Sequence, residues 1–161
     1  MTTQEIRDLV RTVYDAYNAR DFDRSASLVA EDAELVNVAT GQVFRGREGF
    51  VAFLKGWAAA FPDSAVEVAG LKADETGAAV EFVGRGTHTG PLAGPAGTIP
   101  PTGRRVEIRF HDAWEVRGEK IARGRTYFDA LSMLAQLGVL PAPGAVDLTG
   151  VEIGGPAGVG G

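Results

Sequence analysis

Apolar residues near the start of the chain recur at alternating steps of three and one: Ile6, Leu9, Val10, Val13, Tyr14 and Tyr17. That spacing places them on one face of an α-helix, with Thr2 or Thr3 ahead of it as caps. A second, short helix is expected from Asp21 or Asp23 through Leu28 and Val29. EDAELVNV then reads as a strand, and TGQVFRG as a turn with its exit. Between Arg47 and about Phe61, the residues Phe50, Phe53, Leu54, Trp57 and Phe61 form a third, aromatic-rich helical stripe. Pro62 stops it, because proline lacks the amide donor and clashes with the preceding turn.

The second half changes period. SAVEVAGLKAD, GAAVEFVGRGTHTG, RRVEIRFHDAWEV and KIARGRTYFDA alternate at period two or carry β-branched and aromatic residues, with turn signals at 74–77 and 117–119. LSMLAQLGVL returns to helical spacing near Gly138 and Pro141. Helices followed by a run of strands predict an α+β fold. We expect a cone-shaped, curved antiparallel sheet with the N-terminal helices packed over its concave face and a pocket between the layers. Residues 1–140 form this single domain; residues 141–161, rich in Gly and Pro, are expected to be a tail.

Composition narrows the function. The chain has 161 residues, 16 Lys and Arg against 21 Asp and Glu, and a net charge of −5. This balance offers no basic footprint for nucleic acid or an anionic membrane. With no cysteine, disulfides, zinc–thiolate sites and thiol nucleophiles are excluded. No apolar run approaches membrane-span length and no signal peptide is visible, so a cytoplasmic location is expected. The Gly, Ala, Arg and Val bias suggests a bacterial source.

The stretch RGTHTGPLAGPAGTIPPTGRRVEIRFHD, residues 85–112, contains both histidines. It is not a phosphate loop, since its glycines lie between strands rather than before a helix and its prolines remove amide donors. His88 and His111 lie on different strands without the close spacing of a metal pair, so no metal is expected. Residues 90–103 read as a long hairpin connection, of the kind that often covers a pocket.

Two acids stand out. Along one strand Val106, Ile108, Phe110, Asp112 and Trp114 share a face, so Asp112 sits among apolar neighbours. On the next strand Ile121, Arg123, Arg125, Tyr127 and Asp129 share a face, and Asp129 ends that strand. Asp129 is either an N-cap of the last helix or a desolvated acid at a pocket mouth. Asp112 is either a partner of Arg123 or Arg125 or a pocket group. Tyr14, Tyr17 and Trp57 read as core with pocket lining as a second role, and Tyr127 can bring its hydroxyl near Asp129. No nucleophile elbow, HExxH or Walker sequence is present.

The segments VFRGREGFVAFLKGWAAAFPD, GTHTG…PPTGRRV and KIARGRTYFDALSMLAQLGVL together resemble the SnoaL-like polyketide cyclase (ester cyclase) family, within the nuclear transport factor 2-like superfamily. The resemblance spans about Glu5 to Leu140. It implies the α+β cone, a homodimer packing sheet against sheet, and a cofactor-free intramolecular aldol closure of a polyketide ester. It also implies that Asp129, in YFDALSMLAQLG, is the general acid/base. Family members often carry Glu and Trp where this chain has Arg123 and Arg125. Cations there bind an anionic substrate, pair with Asp112, or weaken Asp129 as a base.

The reading on sequence alone is therefore a cofactor-independent enzyme for a small apolar or aromatic carbonyl compound. Asp129 is the expected catalytic residue, with His88, Asp112, Tyr14, Tyr17, Trp57, Phe53, Arg125 and Tyr127 as substrate-binding groups. The alternatives are a related isomerase, epoxide hydrolase or cofactor-free oxygenase, and a non-catalytic ligand-binding or dimerisation module.

Overall fold

The computed structural model describes residues 1–140 and 149–150. The expected tail at 141–161 lies outside the described residues except for Thr149 and Gly150. The first helix, α1 (Thr3–Ala19), opens with a capping box: the Glu5 amide donates to Thr2 Oγ1 at 3.1 Å and the Thr2 amide to Glu5 Oε2 at 2.6 Å. Both orphan donors of the first turn are thereby satisfied. The predicted stripe is the buried one, with Ile6, Val10, Val13, Tyr14 and Tyr17 facing the core. A short α2 (Phe22–Ser27), capped by Asp21, leads into β1 (Val29–Asn37) and β2 (Gln42–Arg45). The aromatic helix α3 (Gly46–Ala60) follows and ends just before Phe61 and Pro62.

The strands β3 (Ala65–Ala73), β4 (Gly77–Thr87), β7 (Arg105–Arg117) and β8 (Lys120–Phe128) complete a curved six-stranded sheet in the order β2-β1-β8-β7-β4-β3. Its pairings are antiparallel except β1 with β8, which run parallel. The long connection after β4 holds a small separate hairpin, β5 (Leu92–Gly94) and β6 (Gly97–Ile99). Last comes α4 (Ala130–Gln136). The α+β architecture with helices on one face of a curved sheet is thus the one the periodicity predicts.

One irregularity decides which side chains face the pocket. Glu115 of β7 pairs with Arg123 of β8, but the next residue, Val116, pairs with Ile121. Ala122 is therefore an extra residue on β8, a β-bulge that shifts the phase of alternation. Ile121 points inward on one side of it; Gly124, Thr126 and Phe128 point inward on the other. Arg123, Arg125 and Tyr127 are turned to the outer face. The expectation that Ile121 shares a face with Arg123, Arg125, Tyr127 and Asp129 holds only beyond the bulge, and that shared face is the outer one.

The two faces of the sheet have opposite chemistry. The outer face carries ion pairs: Arg85 with Glu67 and Glu107, Arg109 with Glu81, and Arg123 and Arg125 with Glu115. The inner face carries apolar and aromatic residues that pack against α1 and α3. Burying an aromatic side chain contributes roughly 1.5–3 kcal/mol, so this inner layer holds helices to sheet. Ion pairs as exposed as those outside contribute little.

Candidate active site

Between α1, α3 and the inner sheet face lies an apolar pocket enclosing about 750 Å³ of atom-free space, its open mouth included. Tyr14 and Tyr17 reach it from α1, Phe53 and Trp57 from α3, and Asp112 from β7. Rings fill much of the wall. Phe82 stacks on Phe110 with centroids 4.9 Å apart, and the Trp57 ring meets Phe110 edge-on at 5.7 Å. Such walls suit a flat, apolar ligand.

Asp112 supplies the pocket's only carboxylate among the described residues and is 5% exposed. Its position follows from the alternation of β7, which turns Val106, Ile108, Asp112 and Trp114 inward together. Two hydroxyls donate to Asp112. Tyr14 Oη donates to Asp112 Oδ2 at 2.7 Å, and Thr126, directly across on β8, donates to Oδ1. Trp114 Nε1 in turn donates to Tyr14 Oη at 2.9 Å, which leaves the tyrosine's own proton for the acid. Gly124 makes that geometry feasible, because a Cβ there would lie 2.4 Å from Trp114 Cζ3. Only a residue without a side chain lets the indole lie over β8 in this way.

Burial pushes the Asp112 carboxyl up to about 6, against the pull of the Thr126 and Tyr14 hydrogen bonds, which favour the charged form. Tyr14 is held well above the ordinary phenol range, first by burial and then by the neighbouring Asp112 charge. It therefore stays a neutral donor. At pH 7 an acid of pKa about 6 is roughly nine-tenths ionised, so Asp112 can accept a proton and return it. Each carboxylate oxygen accepts from one hydroxyl and has further lone pairs, and Asp112 lines the pocket.

The other expected site residues lie elsewhere. Asp129 is exposed and is the N-cap of α4, accepting the Ser132 amide at 2.9 Å; it does not line the pocket. The outward phase of β8 after the bulge carries it away from the acid site. Arg125 pairs with Glu115 at 3.0 Å on the outer face, and Tyr127 is 42% exposed there. Neither arginine touches Asp112, whose partners are hydroxyls. His88 is fully buried but behind the wall, its ring 5.3 Å from that of Phe61. The Thr102 amide donates to His88 Nδ1 at 3.1 Å, so this histidine fastens the base of the 88–104 connection. Burial lowers its pKa. His111 is exposed on the outer face, and no cluster of three or more metal-type side chains occurs among the described residues.

Thr126, Trp114 and Ser64 are pocket residues that the sequence reading did not single out as a site. Trp114 shares the inward phase of Asp112 and could have been grouped with it. Thr126 becomes visible only with the bulge, and Ser64 only with the tertiary fold.

A curved sheet, covering helices and a buried acid at the end of an aromatic pocket define a cone-fold protein of the ketosteroid isomerase-like type. Residues 7–137 match the SnoaL-like polyketide cyclase family, and the chain belongs to that family. Among solved structures it is similar to IdmH, a candidate polyketide cyclase of Streptomyces antibioticus, at 32% identity over 83% of this chain and 98% of that one, with a TM-score of 0.67. A candidate SnoaL-like polyketide cyclase from Jannaschia sp. CCS1 superposes with a TM-score of 0.76 at 19% identity, covering 86% and 95% of the two chains. A hypothetical protein with a ketosteroid isomerase-like fold from Catenulispora acidiphila, in complex with trimethylamine, has a TM-score of 0.68 at 21% identity over 82% and 93%. The last two likenesses concern the fold. No curated protein sequence matches the chain. Among the described residues, no helix is long and apolar enough to cross a membrane.

Proposed function

We propose that this protein is an acid/base enzyme acting on a flat, aromatic carbonyl compound, with Asp112 rather than Asp129 as the proton-transfer residue. The observation that carries the reading is a carboxylate 5% exposed, raised to about 6, in the wall of an aromatic pocket. A buried acid of this kind costs stability, and such costs concentrate at working sites. The family suggests the reaction, an intramolecular aldol closure of a polyketide ester. Asp112 takes a proton from the carbon beside a carbonyl, and the resulting enolate carbon attacks a second carbonyl carbon. A C–C bond forms, the C=O π pair moves to oxygen, and Asp112 returns the proton to that oxygen. Atoms and charge balance within one molecule, so the product is an isomer of the substrate. A homodimer through the outer sheet face and a cytoplasmic location accompany the proposal.

Two of the rivals fare less well on the geometry. Hydrolysis of an epoxide calls for a second acid near a held water, and Asp112 is the pocket's only acid among the described residues. A purely structural reading explains Asp129, whose carboxylate is turned onto α4, but gives no reason for desolvating Asp112. The test is deuterium uptake from solvent into the methylene group of ethyl benzoylacetate, followed by NMR. Wild-type protein is expected to accelerate it, with a rate that rises with pH through about 6. Asp112→Asn should lose on the order of 10²–10⁴-fold of that acceleration, and Asp129→Asn should keep it. Retention by the first variant, or loss by the second, would overturn the assignment.

A further inference from the structure

The pocket has a second polar station, remote from Asp112. Tyr17, one helical turn beyond Tyr14 on α1, places its hydroxyl 2.7 Å from Ser64 Oγ. Both residues line the pocket. Ser64 packs against Gly86, where a Cβ would lie 3.0 Å from the serine Cβ. Asp112 pairs with Val80, six residues further back along β4. The two stations therefore mark different ends of the aromatic space.

Arg20 holds this end in place. It occupies the left-handed region, with φ of 56°, a conformation a non-glycine residue adopts only when its surroundings compensate. Its guanidinium donates to the carbonyls of Tyr17, Pro62 and Ser64 at 2.8–3.1 Å and to Ser64 Oγ at 3.1 Å, and it lies 4.6 Å from the Tyr17 ring centroid. Arg20 is a donor only, so Ser64 Oγ accepts from it. The two hydroxyls then own two protons, and their mutual hydrogen bond uses one. Whichever oxygen donates in that bond, the other keeps a proton with no acceptor among the described residues. Burial raises the Tyr17 pKa, so the pair does not lose that proton near neutrality.

We propose that the Tyr17–Ser64 hydroxyl pair is a donor subsite that binds a carbonyl oxygen of an aromatic ketone or ester. The inference rests on the reading of the pocket as a site for aromatic carbonyl compounds and specifies it. The ligand presents its acidic C–H to Asp112 at one end, and an oxygen acceptor at the other is recognised by Tyr17 and Ser64. Arg20 is a positioning residue that fixes the serine.

The test compares 2-acetylnaphthalene with 2-ethylnaphthalene, which has the same shape and no oxygen, by equilibrium dialysis at pH 8. At that pH Asp112 is ionised and offers the ketone no proton. The ketone preference, taken as the ketone-to-hydrocarbon affinity ratio relative to that of the Tyr17→Phe/Ser64→Ala double variant, is expected to be on the order of 5-fold in wild type, the usual worth of one hydrogen bond. Proton counting predicts an unusual pattern. Tyr17→Phe or Ser64→Ala alone leaves one hydroxyl with a free proton and keeps part of the preference, whereas the double variant abolishes it. Binding of 2-ethylnaphthalene shows that each variant keeps its pocket. A carbonyl-¹³C label gives a second readout: the resonance should move downfield on binding to wild type and to Asp112→Asn, but not to the double variant. A ketone-to-hydrocarbon affinity ratio that is the same in wild type and in the double variant, or a downfield shift that survives the double substitution, refutes the subsite. Deuterium uptake by ethyl benzoylacetate reads Asp112 separately, so the two proposals can fail independently.

Discussion

Asp112→Asn is the substitution whose consequence follows most directly from the structure, and its signature lies in stability before activity. The carboxyl is raised from 3.8 to about 6 on folding. A shift of roughly 2 units corresponds to about 3 kcal/mol at 1.36 kcal/mol per unit. The sign follows from proton binding. Below about pH 4 Asp112 is protonated in both folded and unfolded chains, and its contribution is fully present. Between about 4 and 6 the unfolded chain has released the proton while the folded one retains it, so stability falls by roughly 1.4 kcal/mol per pH unit. Above about 6 the loss is complete. Asparagine does not titrate and can keep the network, accepting from Tyr14 and donating to a Thr126 hydroxyl that turns around. Tyr14, held well above 10, and the non-titrating Thr126 and Trp114 do not change charge in this range, so the variant-minus-wild-type difference isolates Asp112. Urea unfolding of both proteins at pH 4, 5, 6 and 7.5 should show the difference growing by about 3 kcal/mol in favour of the variant. A difference that stays flat would mean an acid that is not desolvated. One that falls with pH would mean a depressed pKa and would remove the proposed base.

The remaining expectations bear on the same framework. Thr126→Val removes a hydrogen bond that favours the charged carboxylate, so the pH midpoint of deuterium uptake should move above that of wild type; an unmoved midpoint would separate Thr126 from the proton transfer. Asp129→Ala should cost about 1 kcal/mol, the worth of an N-cap, in thermal unfolding while leaving the pH profile of uptake in place; a shifted profile would restore Asp129 as a candidate base. Gly124→Ala forces a methyl to within 2.4 Å of the Trp114 ring, and a loss of 1–3 kcal/mol together with an altered Trp114 indole NH resonance is expected. Light scattering should give twice the mass of one chain if the outer sheet face pairs as proposed, and a single-chain mass at micromolar concentration would argue against it.

The elements were legible because periodicity is local. The α1 stripe, the aromatic α3 and the inward phase of β7 with Asp112 on it can all be read within windows of ten to fifteen residues, and each is found in the structure. Function was harder because it depends on how those windows meet. Asp129 shares a face with Ile121 only when β8 is assumed to alternate without interruption. One extra residue at Ala122 changes the phase and gives the pocket Thr126 instead. Neither the bulge nor the approach of Ser64 to Tyr17, 47 residues away, leaves a signature in the local pattern. The resemblance to the family identified the fold, and it implied a role for Asp129 that the pocket geometry does not support, because a resemblance transfers positions and not the phase of a bulged strand.

What the phase shift produces is an acid adjusted from two sides. Desolvation alone would push Asp112 higher than about 6. Full solvation would leave it near 3.8, too weak to remove a proton from carbon. The Tyr14 and Thr126 hydroxyls stabilise the charged form, and burial opposes them with the larger effect, so the carboxyl comes to rest at about 6. That is close to the pH at which one group can both take a proton and give it back. Hydroxyl partners suit this better than an arginine would. A cation would hold the carboxylate ionised, whereas a neutral donor orders the acid and still allows it to be protonated. Arg123 and Arg125 are turned outward onto Glu115, away from Asp112.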